Sequence, residues 1–249
     1  MSNGQIQSLD RGLRILDLLA DGPQLGATEL AHRLGVHKST ASRLLATLRD
    51  HELVAQNPET EKFQLAHGLV RLARAVAGEM DLVRLARPVL QELGDATRET
   101  VNLAVPDGDT IVHVDQITPP QQVVNVSWVG KHVPLHCTSN GKVLLAWMPA
   151  KDRARILRRA LQRYTARTIV DPKLLGKQLL RVREDGYAFT LGELEVGLNA
   201  VAAPVRRSDG HTVAVVSVSG PSYRITPQCL PELGERTREA ADAVSRRGR

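Results

Sequence analysis

The sequence predicts an α+β chain: a small N-terminal unit of helices and a β-hairpin, joined by one helix to a larger α/β domain. Two observations carry that expectation. From Ala27 to Leu48 apolar residues recur at helical spacing on both sides of a glycine, and beyond about Asp81 helical periods alternate with runs of period two. With 249 residues, 42% of them hydrophobic, the chain has material for two cores.

Ser8 to Ala20 reads as a first helix with Leu9, Leu13, Leu16 and Leu19 or Ala20 on its apolar stripe, ended by Asp21-Gly22-Pro23. In ATELAHRLGVHKSTASRLLATL, Leu30, Ala31 and Leu34 form one inward face. Gly35 permits a tight turn, and Val36, Ala41, Leu44, Leu45 and Leu48 form the second inward face. The second helix leaves Lys38, Ser39, Thr40, Ser42, Arg43 and Thr47 outside, short hydroxyls and long cations suited to base edges and phosphates. No acidic residue occurs from Leu30 through Leu48, while Arg33, Lys38 and Arg43 are cationic; an ordinary helical hairpin would normally mix both signs. ELVAQ and EKFQL, around Asn57-Pro58, read as the hairpin wing of a winged helix-turn-helix, with Lys62 within reach of a phosphate. Leu65, Leu69, Leu72 and Val76 then form a helical seam, which suits either a dimerising linker or packing on the wing. The expected organisation is residues 1–66 for the winged unit, 67–81 for the linker helix and 82–249 for the second domain.

In the second domain a helix from Leu82 to Thr97 precedes a hairpin, VNLAV and IVHVDQI around DGD, and VVNVSWV reads as a further strand. Helices are expected over Thr138–Met148, Ala150–Arg163, from the Asp171-Pro172 cap to Asp185, and from Pro227 to Ser245, followed by a frayed basic tail. YAFTLGE, LNAVAAPV and TVAVVSVSG are strands, the last two turned by Asp209-Gly210. Thr138 is placed to cap its helix, leaving N–H groups of Ser139, Asn140 and Gly141 facing outward where the dipole favours an anion; alternatively Thr138 merely caps. Val213, Val215, Ser217 and Ser219 share one strand face, and the paired hydroxyls suggest a polar patch in a pocket.

Composition and motifs weigh against other classes. The net charge of +6 and a pI near 9.7 suit a nucleic-acid partner without requiring one. Cys137 and Cys229 stand alone, which fits a reducing cytoplasm and neither a zinc ribbon nor a disulfide framework. No leader or membrane span is expected. His132 and His136 are separated by Pro134, which forbids a helical zinc pair. His113 and Asp115, at strand spacing on one face, suit acid–base chemistry or a satisfied pair. Cys137 beside His136 points away from it, and Gly-x-Ser-x-Gly is absent, so a small-molecule hydrolase with an accessory helical domain is the lesser reading. No cofactor and no metal site is expected.

SLDRGLRILDLLA, TELAHRLGVHKSTASRLLATL, KFQL, PLHCTSNGK, the Gly-Glu before EVG, VAAPV and SVSGP occur in an order and spacing by which the chain resembles IclR-type transcriptional regulators over its whole length. The resemblance implies a winged helix-turn-helix, a linker helix used in dimerisation, and a GAF-like effector domain. It also implies double-stranded operator DNA and a small-molecule effector as partners, and a homodimer or dimer of dimers acting as repressor or activator. The family's effector pocket maps onto Val133, Ser139, Asn140, Thr190, Leu198, Ala200, Ser217 and Ser219. Thr190 and Ala200 stand where members that bind small oxoacids tend to carry an acidic residue and a cysteine. Glu52 stands where glycine is common, and Glu193 matches a recurrent acidic position that either orders a loop or meets ligand.

Overall fold

The computed structural model describes residues 6–20, 22, 24–73, 77–119 and 127–248, divided into two units at Ala77/Gly78. The first unit contains α1 (Gln7–Ala20), α2 (Ala27–Leu34), α3 (Lys38–Asp50), the strands β1 (Val54–Gln56) and β2 (Phe63–Leu65), and α4 (Gly68–Ala73). Ile15, Leu19, Leu25, Leu30, Leu34, Leu45, Val54 and Phe63 form its core. Gly35 takes a left-handed φ of 65° and its N–H bonds the end of α2, which is how the chain reverses into α3. The stripe on α1 is rotated from the expected one: Ile15 and Gly12 are buried with Leu19, while Leu9 and Leu13 are more than half exposed. Asp21 and Pro23, expected to end this helix, lie outside the described residues.

β1 and β2 pair antiparallel as a wing, Val54 opposite Leu65 and Gln56 opposite Phe63. Glu52, at the family's glycine position, holds φ at 60°, a region that costs a residue with a Cβ about 1–2 kcal/mol. Gly68 lies against its carbonyl, accepting no Cβ: an added one would sit 2.5 Å from the Glu52 oxygen. Leu65 belongs to β2 and not to the linker seam, because its backbone is committed to the wing ladder. Leu69 and Leu72 are on α4, with Leu72 half exposed; Val76 lies outside the described residues.

The second unit is built on six antiparallel strands in the order β5-β4-β3-β8-β7-β6. These are β3 (Thr100–Asp107), β4 (Thr110–Ile117), β5 (His132–Pro134), β6 (Ala188–Leu191), β7 (Leu198–Arg206) and β8 (Thr212–Pro221). On one face α5 (Ala77–Thr97) and α9 (Leu230–Arg247) bury Leu90, Leu93, Ala241 and Val244 against Val101, Leu103, Val216 and Val218. On the other face α6 (Ser139–Trp147), α7 (Ala150–Leu157) and α8 (Pro172–Asp185) pack on Ala104, Val215 and Ala202. This is the α/β layout of the GAF-like expectation. α7 stops at Leu157 instead of Arg163, α9 starts at Leu230 and runs through Arg247, and residues 127–129 form only a single bridge, Val129 to His113. Residues 123–126 of the VVNVSWV strand reading lie outside the described residues.

Two β-bulges redirect side chains that strict alternation would place together. On β4, Leu103 pairs with Asp115 but Ala104 pairs with His113, so Val114 is the extra residue. His113 therefore faces the α6 side, whereas Asp115 faces α5 and meets Arg87 at 2.6 Å. On β8 the extra residue is Val213, which turns to the α5–α9 core and leaves the Ser217 face.

α6 is buried from Ser139 through Ala146 and therefore approaches the chain before it closely. A Cβ on Gly141 would sit 2.2 Å from Leu135 Cα and 2.3 Å from its oxygen. Gly141→Ala is expected to lower the stability of the second unit by about 1–3 kcal/mol or more through backbone displacement, read as an earlier denaturant midpoint. An unshifted midpoint would contradict this packing.

Candidate functional site

On α3 of the first unit, Lys38, Ser39, Ser42, Arg43 and Thr47 are exposed and Thr40 is half-buried, so all six expected side chains lie on the face away from Ala41 and Leu45 or at its margin. His37, the residue preceding the helix, makes no side-chain cap bond, which leaves the first N–H groups of α3 open to an anion beside Lys38. Thr47 Oγ1 donates to the Arg43 carbonyl at 3.1 Å, so this hydroxyl is turned back onto its own helix. Arg33 does not extend the positive face: Glu29, one turn earlier and just outside the acid-free stretch, holds it at 2.8 Å. Lys62 is exposed immediately before β2, in the wing.

In the second unit, the start of α6 stands over the polar part of the sheet and encloses a cavity of about 50 Å³. All eight expected residues line it. Ser139 and Asn140 come from the helix start, Val133 from β5, Thr190 from β6, Leu198 and Ala200 from β7, and Ser217 and Ser219 from β8. Thr138 holds the helix start from both sides, accepting from Gly141 N at 3.1 Å and donating to the Pro134 carbonyl at 2.7 Å. The N–H groups of Ser139 and Asn140 precede the first intrahelical donor and have no carbonyl one turn back to meet.

The wall contains residues that pattern reading did not assign to a pocket: Asn102, His113, Trp128, Cys137 and Leu194. Period two on β3 already placed Asn102 on the face opposite Val101 and Leu103, a signal available from the sequence. His113 was hidden by the β4 bulge. Burial holds its imidazole down at about 4, so the ring is neutral near pH 7. Burial also pushes the Cys137 thiol up to about 12, which leaves it a packing residue and not a nucleophile. His132 and His136 have separate partners, Asp107 at 2.7 Å and the Gln162 carbonyl at 2.8 Å, and no cluster of metal-binding side chains occurs among the described residues.

Directly behind the cavity lies a buried ion pair. Lys142 Nζ, on α6, meets Glu193 Oε1 at 2.5 Å and Gln178 Oε1 of α8 at 2.8 Å. Burial pulls the ammonium down and pushes the carboxyl up, and their contact opposes both shifts. Glu193 therefore orders the β6–β7 loop by anchoring it to α6, and the Thr168 hydroxyl adds a 2.7 Å bond to the Glu193 carbonyl. Leu194, next in the loop, is thereby held in the cavity wall.

Comparison with known proteins decides the family. Residues 74–246 match the bacterial transcriptional regulator IclR C-terminal domain, and residues 8–58 match the IclR helix-turn-helix domain. The chain belongs to the IclR family of transcriptional regulators. It is 34% identical over 244 residues to the HTH-type transcriptional regulator BhcR of Paracoccus denitrificans, covering 98% of this chain and 88% of that one. It superposes on the Thermotoga maritima IclR crystal structure with a TM-score of 0.80 at 27% identity, over 97% and 98% of the two chains. An IclR homologue from Microbacterium hydrocarbonoxydans complexed with 4-hydroxybenzoate gives 0.78 at 25% identity, over 96% and 98%. As an IclR-family protein the chain is a DNA-binding, effector-responsive regulator and not a hydrolase. Among the described residues no helix is long and apolar enough to cross a membrane.

Removing one partner of the buried pair strands the other charge. Lys142→Met is expected to cost about 3–5 kcal/mol in unfolding free energy, and adding Glu193→Leu should restore most of that loss. Urea denaturation of the two variants checks this; equal instability of the single and double variants would remove the pair as the anchor of the loop.

Proposed function

We propose that the regulator binds a pseudo-palindromic operator as a homodimer, or a dimer of dimers, in the cytoplasm. In this reading α3 enters the major groove with Ser39, Thr40, Ser42, Arg43 and Thr47 toward base edges, while Lys38 and the wing residue Lys62 meet phosphates. The uncapped start of α3 beside two cations, Lys38 and Arg43, supports it. The exposed apolar Val70 and Leu72 on α4 support a helix contact between protomers.

The effector in this reading is a small organic acid held in the cavity of the second unit. Its carboxylate sits at the N–H groups of Ser139 and Asn140; Ser217, Ser219 and Thr190 bond its polar groups, and Val133, Leu198 and Ala200 enclose the rest. The observation that carries the assignment is the convergence of these eight residues on one cavity at a helix start. The acid bound by the Microbacterium homologue agrees with this class. Ligand changes operator affinity only by binding two conformations unequally, so operator DNA must change ligand affinity by the same factor.

Sites selected from random DNA should contain half-sites about one helical turn apart or a multiple of it. Arg43→Ala should cost about 1–3 kcal/mol on the selected site alone, whereas Lys38→Ala should weaken all sequences and reduce the salt dependence. Gel shifts at two salt concentrations read both effects, and unchanged binding in both variants would remove α3 from the interface. A panel of aliphatic, sugar and aromatic acids, screened for release of the selected DNA, tests the cavity through Ser217→Ala and Ser219→Ala. Each should weaken the active acid by about 0.5–1.5 kcal/mol without changing ligand-free DNA binding.

Leu72→Glu should lower the dimer fraction in sedimentation at micromolar concentration while leaving the melting temperature within a few degrees. An unaltered dimer would assign the seam to packing within one chain.

A further inference from the structure

We infer that Asn102 and His113 on the sheet, together with Asn140 on α6, form a hydroxyl-reading wall that selects small hydroxy acids over their oxo and deoxy counterparts. This rests on the effector-pocket reading above and adds what the pocket recognises.

Three side-chain atoms lining the cavity are buried without a partner among the described residues: Asn102 Oδ1, Asn140 Oδ1 and His113 Nδ1. Their residues are only 2%, 4% and 6% exposed, so bulk water does not serve them. Asn102 and His113 stand on adjacent strands of one face, since Ala104, two residues from Asn102, pairs with His113. Asn102 Nδ2 donates to Ser219 Oγ at 3.4 Å, which orients the amide and leaves its oxygen free. The His113 ring is neutral, so Nδ1 donates in one tautomer and accepts in the other. Asn102 Oδ1 and Asn140 Oδ1 are thus buried acceptors that still need a donor.

Among the described residues no Lys, Arg, Asp or Glu lines the cavity, and Lys142 and Glu193 behind it form an ion pair with one another. A ligand that displaces water from this cavity has to supply donors to these oxygens. A hydroxyl donates its one proton to Asn102 Oδ1 and accepts from His113 when the ring proton is on Nδ1, so in that tautomer it pairs with both residues. An oxo oxygen only accepts and leaves Asn102 Oδ1 without a donor, and a methylene does neither. A site built around a hydroxyl penalises analogues that lack it because its own buried polar atoms are left unpaired. The cavity volume of about 50 Å³ favours a small acid.

The chain has two tryptophans, and Trp128 is in the cavity wall, so Trp147→Phe leaves one reporting indole. The full-length Trp147→Phe protein is titrated by fluorescence and calorimetry with glycerate, lactate, pyruvate and propionate. Glycerate and lactate should bind at least about tenfold more tightly than pyruvate and propionate. Asn102→Ala and His113→Phe should each reduce that preference to about threefold or less. Pyruvate or propionate binding as tightly as lactate would overturn the inference and leave the effector pocket standing. So would a preference that survives both substitutions, or silence toward these four acids when larger acids release the DNA and depend on Ser217. Silence toward every acid in the panel would overturn both readings.

Discussion

The second unit is organised around a charge that has no water to reach. Lys142 lies in the first turns of a helix buried from Ser139 through Ala146, and its side chain is 1% exposed. An ammonium there requires Glu193 and Gln178, so the β6–β7 loop must lie on α6 and α8 must pack beside it. Leu194, Thr190 and Leu198, the cavity residues flanking Glu193, inherit their positions from that requirement. Gly141 adds the complementary constraint, since α6 can sit this deep only where its backbone touches that of Leu135.

The two faces of the sheet use their polar residues differently. The face under α5 and α9 is closed by aliphatic packing, and its buried acid, Asp115, is neutralised from α5 by Arg87. The face under α6 and α8 carries Asn102 and His113, each with a polar atom left unpaired, beside Ser217 and Ser219, and it is the side to which we assign the effector. Buried polar groups without partners are uncommon in folded proteins because each forfeits its hydration. Asn102, His113 and Asn140 bring three of them to one cavity, in keeping with the proposed recognition.

Much of this was legible where chemistry is local. Gly35 has the left-handed backbone that its place between two apolar faces demanded, Thr138 caps α6, and Asp171 with Pro172 opens α8. Each depends on a few consecutive residues. Elements whose boundaries depend on distant partners were less legible: α7 stops at Leu157 although helical composition continues, and Leu65 joins the wing although its spacing continues the seam. On α1 the apolar spacing offered two neighbouring stripes, and contact with α3 and the wing selected the one through Ile15.

The sequence by itself determined the winged unit, the antiparallel strands, the capped helix and the family, because glycine, proline, caps and apolar periods act through backbone geometry within a few residues. It also brought the eight pocket residues to notice through motifs in their expected order. Only the tertiary structure decided which polar residues complete the wall. The extra residues Val114 and Val213 each shift side-chain alternation by one, sending His113 into the cavity, Asp115 to Arg87 and Val213 to the opposite core. A bulge is set by how two strands pair and twist, and that pairing is a property of the folded sheet.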